Sequence, residues 1–219
     1  MRKLLIVILV MFSAIELSAQ VRFWDGSTPD KTVTIGPRLG LNISTVGGSG
    51  VDGVDPKAGL FVGGEVDFNI VRSFSINTGL FFTGKGCKTS VTAGVDDMLF
   101  DVDERVTANF LQLPIYASYR LNFTEDTQLQ VFFGPYFECG VYGKYTVQLS
   151  DAGWENDTST DIFNDELGFH RFQVGIGAGV AVTWSNFYLG VQGQFGATEI
   201  AKDADARWNT CTIALGYNF

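Results

Sequence analysis

The sequence predicts an all-β fold: an eight-stranded antiparallel up-and-down transmembrane β-barrel with long loops on one rim and short turns on the other. Three observations lead to this prediction. Eight segments alternate apolar with polar or small residues at a period of two, as a strand with two different faces does. Their polar faces are rich in glycine, which suits the crowded interior of a narrow barrel. Long and short connections alternate along the chain, so one rim carries loops and the other carries turns.

The stretch Arg171–Trp184 shows the pattern most clearly. Its even positions are apolar from Phe172 to Trp184, whereas its odd positions are polar or tiny. Glycine facing solvent from a strand costs entropy and packs against nothing. The small face is therefore expected to line a lumen and the apolar face to contact lipid.

Seven further segments repeat this alternation, and each is long enough to cross a bilayer as a tilted strand. In chain order they are Val33–Ser44, Lys57–Ile70, Phe74–Lys85, Thr107–Leu121, Gln128–Tyr142, Phe187–Ala197 and Arg207–Phe219. The long loops expected between them are Thr45–Pro56, Gly86–Val106, Gly143–Gly168 and Thr198–Ala206. Aromatic residues near the turn-side strand ends predict an interfacial girdle.

The N-terminal residues predict export. Arg2 and Lys3 precede an apolar run from Leu4 to Phe12, and the small residue Ala19 follows. This is the pattern of a signal peptide, here residues 1–19, with the outer-membrane β-barrel domain at residues 20–219. The alternative is a buried N-terminal helix.

Composition and net charge limit the classes of molecule that the protein is expected to bind. The chain is 46% hydrophobic and 18% charged, with a formal net charge of −9. Such a charge predicts no nucleic-acid partner. The outer membrane is the expected location and outer-membrane lipid the expected surroundings. No cofactor, metal centre or catalytic residue is predicted.

Charged residues on the inward faces are the candidate site residues. A structural charge network is predicted from Arg38, Glu65, Asp67, Arg120, Glu138 and Arg171. Arg38 is expected to pair with Glu65, and Glu138 with Arg171, because an unpaired charge in a narrow lumen is costly. The network is interpreted as a plug; the alternative is a selectivity filter in a conducting pore.

Acidic residues are concentrated in the second and third predicted long loops. They are Asp96, Asp97, Asp101, Asp103, Glu104, Asp151, Glu155, Asp157, Asp161, Asp165 and Glu166. Clustered carboxylates can hold Ca²⁺, but the spacing of an EF-hand loop is missing. Solvated acidic loops that meet a surface partner are the favoured interpretation.

Enzymatic chemistry has one candidate residue. His170 is the only histidine and lies at the loop-side end of the predicted sixth strand. A serine nucleophile would have to lie within hydrogen-bond reach of it, and Ser150 and Ser159 are the nearest on the preceding loop. A lipid-modifying outer-membrane enzyme is therefore kept only as an alternative.

Several short motifs resemble the PorT-type outer-membrane β-barrel proteins of Bacteroidetes. They are Ser18–Gln20, Gly36–Asn42 (GPRLGLN), Leu111–Ile115 (LQLPI) and Leu215–Phe219 (LGYNF). The resemblance implies that the terminal aromatic Phe219 is a signal for the barrel-assembly machinery during insertion. The expected function is a non-enzymatic scaffold or binding protein acting through acidic extracellular loops. A soluble lipocalin-like carrier, with the apolar face turned inward, is the main alternative.

Overall fold

The fold was examined in a computed structural model of the 219-residue chain. The structure describes residues 24–48, 54–95, 98–124, 126–151, 154–163, 168–201 and 205–219. Side chains at 90–102 and 148–159 are excluded from that description. The predicted signal peptide therefore lies outside the described residues. No described helix is long and apolar enough to cross a membrane.

The described chain forms a single antiparallel sheet. Its nine strands are β1 Val33–Gly48, β2 Val54–Val71, β3 Phe74–Val95, β4 Met98–Asn122, β5 Thr127–Asp151, β6 Trp154–Asp161, β7 Phe172–Trp184, β8 Phe187–Gly196 and β9 Ala206–Tyr217. Eight of them close a barrel in the order β4-β3-β2-β1-β9-β8-β7-β5, and the pairing of β4 with β5 completes the ring. The predicted eight-stranded barrel is confirmed.

Residue alternation determines which face of each strand meets lipid. In β1, Arg38 is 3% exposed and Asn42 is fully buried, whereas Leu39 and Leu41 are 59% and 63% exposed. The same division of faces recurs in β9, where Thr212 is buried and Leu215 is exposed. A barrel with an apolar outside and a polar, packed inside is built for a hydrocarbon surrounding.

Two of the expected long loops are largely strand, and this corrects the prediction. The segment expected as the loop Gly86–Val106 is formed mostly by β3 and β4, which remain paired up to Val95 and Met98. The loop expected at Gly143–Gly168 contains the end of β5 and all of β6. Polar residues break the lipid-facing alternation here, so the sequence pattern ends although the backbone ladder continues.

These extensions form a four-stranded projection, called here the extracellular ribbon: residues 88–95, 98–106, 143–151 and 154–161. Within it β6 pairs only with β5. A β-bulge between Asn109 and Phe110 marks its lower end, where the pairing of β4 with β5 shifts by one residue. The ribbon is continuous with the barrel wall.

The opposite rim carries short connections, as predicted. A two-residue turn at Ser185–Asn186 joins β7 to β8, and Ser185 takes a positive φ of 55°. Residues 24–32 fold back onto the β2–β3 turn, where the Ser73 amide donates to the Asp25 carbonyl at 3.2 Å. Trp24 stacks on Tyr119 at 6.4 Å. This rim faces the periplasm if the long connections lie outside the cell.

Candidate functional site: the charged lumen and the extracellular ribbon

The turn-side half of the lumen holds a hydrogen-bonded charge network, called here the lower network. Arg38 lies 2.7 Å from Glu65, and its guanidinium also donates to the side-chain oxygen of Asn218 at 2.7 Å. The Arg38 guanidinium stacks 3.9 Å above the ring of Tyr188. The network thus brings together two of the predicted residues, on neighbouring strands β1 and β2.

The lower network also includes a second ion pair in the same half of the lumen, between Asp67 and Arg120. Their N–O separation is 3.0 Å. Asn77 donates to the second oxygen of Asp67, and Arg120 also donates to Asn69. Each carboxylate oxygen therefore has a donor, as a buried charge requires.

The loop-side half of the lumen holds one isolated ion pair, called here the upper pair. Lys85 Nζ lies 2.6 Å from Glu138 Oε1, and both side chains are fully buried. Neither group has a hydrogen-bond partner among the side chains that the structure describes. The ammonium lies between two aromatic rings, 5.0 Å from the centre of Tyr136 and 5.8 Å from that of Phe110.

The expected partnership of Glu138 with Arg171 is wrong. In the register of β5 and β7, Glu138 faces Gln173 across the ladder, and Arg171 precedes the first residue of β7. Arg171 is exposed, and its guanidinium lies 5.2 Å from the ring of Phe163. Lys85, which the predicted network omitted, holds Glu138 from two strands away.

Aromatic side chains fill the space between and above the two charged regions. Tyr116, Phe132, Tyr136, Ala181 and Tyr188 pack as one buried cluster in the middle of the lumen. A second cluster closes the loop-side mouth. Its members include Val46, Phe110, Ile162, Phe163, Ile200 and Trp208. Two layers of packed side chains therefore lie between the lower network and the loop-side rim.

The turn side of the lumen contains a large open space. A cavity of about 770 Å³ opens at that rim and reaches Asp67, Asn69 and Arg120. A second cavity, in the middle of the barrel beside Arg38 and Gln112, measures only about 20 Å³. That volume holds about one water molecule.

The extracellular ribbon inverts the polarity of the barrel. Val106 and Tyr145 turn inward and pack against the cluster at the mouth, whereas Lys88, Arg105 and Lys144 turn outward and are exposed. Burial, and then the hydrogen bond to Glu104, raise the pKa of Tyr145. The polar outer face is what a sheet needs once it leaves the membrane.

Most acidic residues proposed for calcium binding have side chains outside the described part of the chain. Asp103, Glu104 and Asp161 are described, and Asp161 accepts a hydrogen bond from the Phe163 amide at 3.0 Å. Among the described residues, no group of three or more metal-ligating side chains is found. Calcium binding remains a hypothesis.

His170 is exposed and lies just before β7. Its backbone amide donates to the Ile200 carbonyl at 2.9 Å. Ser150 and Ser159, considered as nucleophiles, fall in the segment whose side chains are not described. The geometry therefore supplies no described serine partner for this imidazole.

A closed antiparallel barrel with an apolar outer band and a packed polar lumen defines an integral outer-membrane protein. Comparison with models of protein families identifies the family. Residues 18–200 match the model described as "Outer membrane protein beta-barrel domain", and the chain belongs to that family.

The chain is also similar to several solved structures. Ail, the attachment invasion locus protein of Yersinia pestis, in complex with the heparin analogue sucrose octasulfate, shares 16% identity, with 86% of this chain and 100% of that chain covered at a TM-score of 0.43. OprG from Pseudomonas aeruginosa shares 12% identity over 90% and 99%, at a TM-score of 0.38. LpxR from Salmonella typhimurium shares 10% over 85% and 99%, at a TM-score of 0.33. No curated protein matches the chain.

Proposed function

We propose that this protein is a non-enzymatic, non-conducting outer-membrane anchor that displays its extracellular ribbon to a binding partner at the cell surface. The observation that carries the proposal is the sealed lumen below a continuous extracellular sheet. A lumen filled by the upper pair and two layers of packed hydrophobic side chains does not favour transport. The part of the chain that projects from the barrel is then the part available for recognition.

The ribbon suits recognition by its construction. Its strands are paired with one another through the backbone, so little backbone conformational entropy is lost when a partner binds. Acidic residues occupy its tip-proximal sequence, including Asp101, Glu155 and Asp157. A basic segment of a surface protein is the partner chemistry that this composition favours.

Within the family, we propose a PorT-type relationship. Its support is the set of short motifs described above, from Gly36–Asn42 to the terminal Phe219. Recognition of that last residue by the barrel-assembly machinery is part of the same proposal. Deleting Phe219 is expected to lower the amount of folded barrel in the membrane fraction, while Phe219→Tyr should preserve it.

The binding role is tested by site-specific photo-crosslinking in cells. A crosslinking amino acid is placed at Asp103 in the ribbon, and in a matched strain at Arg72 on the opposite rim. The expected result is a discrete adduct from position 103 that is missing from position 72. Identical adduct patterns at both positions would overturn the proposal.

Conduction and catalysis have separate tests. Purified barrel in planar bilayers is expected to give no steady single-channel steps, and discrete channels would contradict the plug. Overexpression of the protein is expected to leave the lipid profile unchanged whether residue 170 is His or Ala. A lipid change that disappears with His170→Ala would assign it an enzymatic role.

A further inference from the structure

The large cavity on the turn side of the lumen has the size of a ligand site and a polar lining. Its volume is about 770 Å³, and only Pro29, Phe123 and Phe219 are apolar among the nineteen described residues that line it. Small-molecule sites usually measure about 300–1,000 Å³ and are lined mostly by apolar side chains. This cavity therefore fits a ligand that is polar over most of its surface.

The charged side chains that line the cavity balance one another. They are three cations and three anions: Lys31, Arg72, Arg120, Asp30, Asp67 and Asp126. Four of them form two ion pairs, one at 3.0 Å between buried side chains and one at 2.5 Å between exposed side chains. A charged ligand would lose hydration on entry without meeting an excess of opposite charge. The lining therefore favours a neutral ligand.

Two buried side chains in the lining have unused hydrogen-bonding capacity. Gln130 is 3% exposed, and its amide nitrogen donates to the Ser118 hydroxyl at 2.6 Å. Its carbonyl oxygen Oε1 accepts no hydrogen bond from a described residue, and the Thr183 hydroxyl, in a residue 8% exposed, likewise has no described partner. Both side chains line the cavity. Because buried polar groups normally have a partner, these two groups are the ones that an occupant of the cavity would satisfy.

The strand register places these groups on one continuous wall. Arg120 on β4 lies directly opposite Gln130 on β5, and Thr183 on β7 lies directly opposite Gln128 on β5. Gln128 and Gln130 are two residues apart, so they share the inward face of β5. All four side chains line the cavity. Three neighbouring strands thus present amide and hydroxyl groups, which both donate and accept hydrogen bonds.

The facing wall includes β1 and the segment 24–32 that leads into it. Three strands separate β1 from β5 in either direction round the ring, so the two strands lie on opposite sides of the lumen. Asn69 donates its side-chain amide to the Lys31 carbonyl at 2.7 Å and its backbone amide to the Thr32 carbonyl at 2.8 Å. These carbonyls, which could otherwise pair with a bound peptide, are therefore already used by β2.

We propose that the turn-side cavity binds a neutral oligosaccharide. Hydroxyl groups donate and accept hydrogen bonds, so a sugar matches a wall of amides and hydroxyls, and an uncharged sugar needs no counter-ion. A peptide would bring apolar side chains for which this lining offers little matching surface. With the long connections outside the cell, the sugar enters the cavity from the periplasm.

The test measures sugar binding by the full-length barrel in lipid nanodiscs, which avoids detergents with sugar headgroups. Isothermal titration calorimetry follows the binding of two neutral probes, maltotetraose and chitotetraose. Tetragalacturonate is the charged comparison ligand, and acetyl-tetraalanine-amide is the peptide comparison ligand. At least one neutral probe is expected to bind saturably and more tightly than both comparison ligands.

Substitutions at Thr183 locate the binding in the cavity. Thr183→Val removes the hydroxyl and should weaken sugar binding about fivefold, as expected for one hydrogen bond. Thr183→Ser keeps the hydroxyl and should retain binding. Thr212→Val is the matched control, because it removes a buried lumen hydroxyl that donates to Asn42 at 2.7 Å and does not line the cavity. The control should leave sugar binding unchanged.

A second pair of variants tests the Gln130 carbonyl. Gln130→Leu with Ser118→Ala removes both partners of one buried hydrogen bond, so the stability of the barrel should change little, whereas sugar binding should weaken about fivefold. Ser118→Ala alone keeps the Gln130 carbonyl and should retain binding. Urea unfolding of each variant in the absence of sugar measures its stability.

Amylose resin and colloidal chitin, the polymers of the two probe sugars, distinguish the source of the ligand. Retention of the barrel on either polymer would assign the ligand to a polymeric glycan. Binding of a soluble probe without retention would assign it to a free oligosaccharide, and both results agree with the proposal.

Three results would overturn the proposal. The first is that neither neutral probe binds. The second is equal or tighter binding of tetragalacturonate or acetyl-tetraalanine-amide, the latter of which would reassign the cavity to a peptide. The third is unchanged sugar binding by both Thr183→Val and the Gln130→Leu, Ser118→Ala barrel. Partner capture by the ribbon is measured independently, so either idea can fail alone.

Discussion

The lower network and the upper pair occupy the same lumen in different surroundings. In the lower network Arg38, Asp67 and Arg120 each have at least two side-chain partners, whereas Glu65 pairs with Arg38. The cavity of about 770 Å³ brings solvent to Asp67 and Arg120. In the upper pair, Lys85 and Glu138 have no hydrogen-bond partner among the described residues, although Gln112 and Gln173 lie directly opposite Glu138 on the two neighbouring strands. Burial is nearly complete for both members of the upper pair and for Arg38, Asp67 and Arg120, so these groups differ in hydrogen bonding and access to water.

This difference separates two ways of keeping charge inside a barrel. The cost of desolvating an ion is offset when donors and acceptors replace its water. The lower network does this with asparagine amides. The upper pair depends on a single Coulombic contact in a low-dielectric environment. Removing either partner should therefore lower the free energy of unfolding more than removing a charge from the lower network.

The largest expected loss of folding stability follows from the substitution Lys85→Met. It leaves the Glu138 carboxylate buried and unpaired, and should lower the free energy of unfolding by about 3–5 kcal/mol. Urea unfolding in detergent micelles, followed by tryptophan fluorescence, measures the change. The double variant Lys85→Met, Glu138→Leu should recover most of the loss; a double variant as unstable as the single one would contradict this account.

A smaller effect is expected from Arg120→Met in the lower network. Asp67 keeps the hydrogen bond from Asn77, and water in the turn-side cavity can solvate it. The expected loss is about 2 kcal/mol, measured in the same unfolding assay. If Arg120→Met proved as damaging as Lys85→Met, solvent access would not be what distinguishes the two regions.

The aromatic layer between the two regions gives a third prediction. A Cβ atom at Gly177 would collide with the Tyr116 hydroxyl, whereas a Cβ atom at Gly64 meets nothing within 4 Å. Gly177→Ala should therefore cost about 1 kcal/mol through overpacking. Gly64→Ala is the matched control and should be neutral or slightly stabilising, because it restricts the unfolded chain.

The smallest effect is expected at the exposed ion pair on the turn side. Arg72 and Asp30 are 2.5 Å apart, and the hydrogen bond from Arg72 to Asp30 raises the pKa of Arg72. Solvent screens such pairs. Arg72→Gln should leave the unfolding midpoint unchanged within error, and a clear loss would show that the residue 24–32 segment depends on this contact.

Alternation predicted the faces of the strands because it acts within each strand. Arg38 and Glu65 lie on consecutive strands, so their adjacency needed only the order of the chain. The partner of Glu138 could not be found in this way. Lys85 and Glu138 are on strands separated by β4, and their meeting depends on the stagger between strands, which side-chain period does not encode.

The extracellular ribbon escaped prediction for a different reason. Residues such as Asp101, Asp103 and Asp157 have low strand propensity and suggested loops. Neighbouring strands supply their hydrogen bonds, and the polarity of the two faces reverses near Gly143. The alternation used for prediction has apolar residues facing lipid and polar residues facing the lumen. It stops where the chain leaves the membrane, so the predicted strands end there although the real strands continue.

The length of β4 and β5 has a mechanical consequence. Each contains 25 residues, whereas a tilted strand needs about ten to cross the bilayer. Despite the β-bulge in their pairing, these two long strands carry the tip beyond the membrane surface at about 3.3 Å per residue. A force applied to the tip would be transmitted through backbone hydrogen bonds into the barrel wall, because the ribbon and the barrel share the same strands. The membrane-embedded barrel therefore anchors the ribbon mechanically.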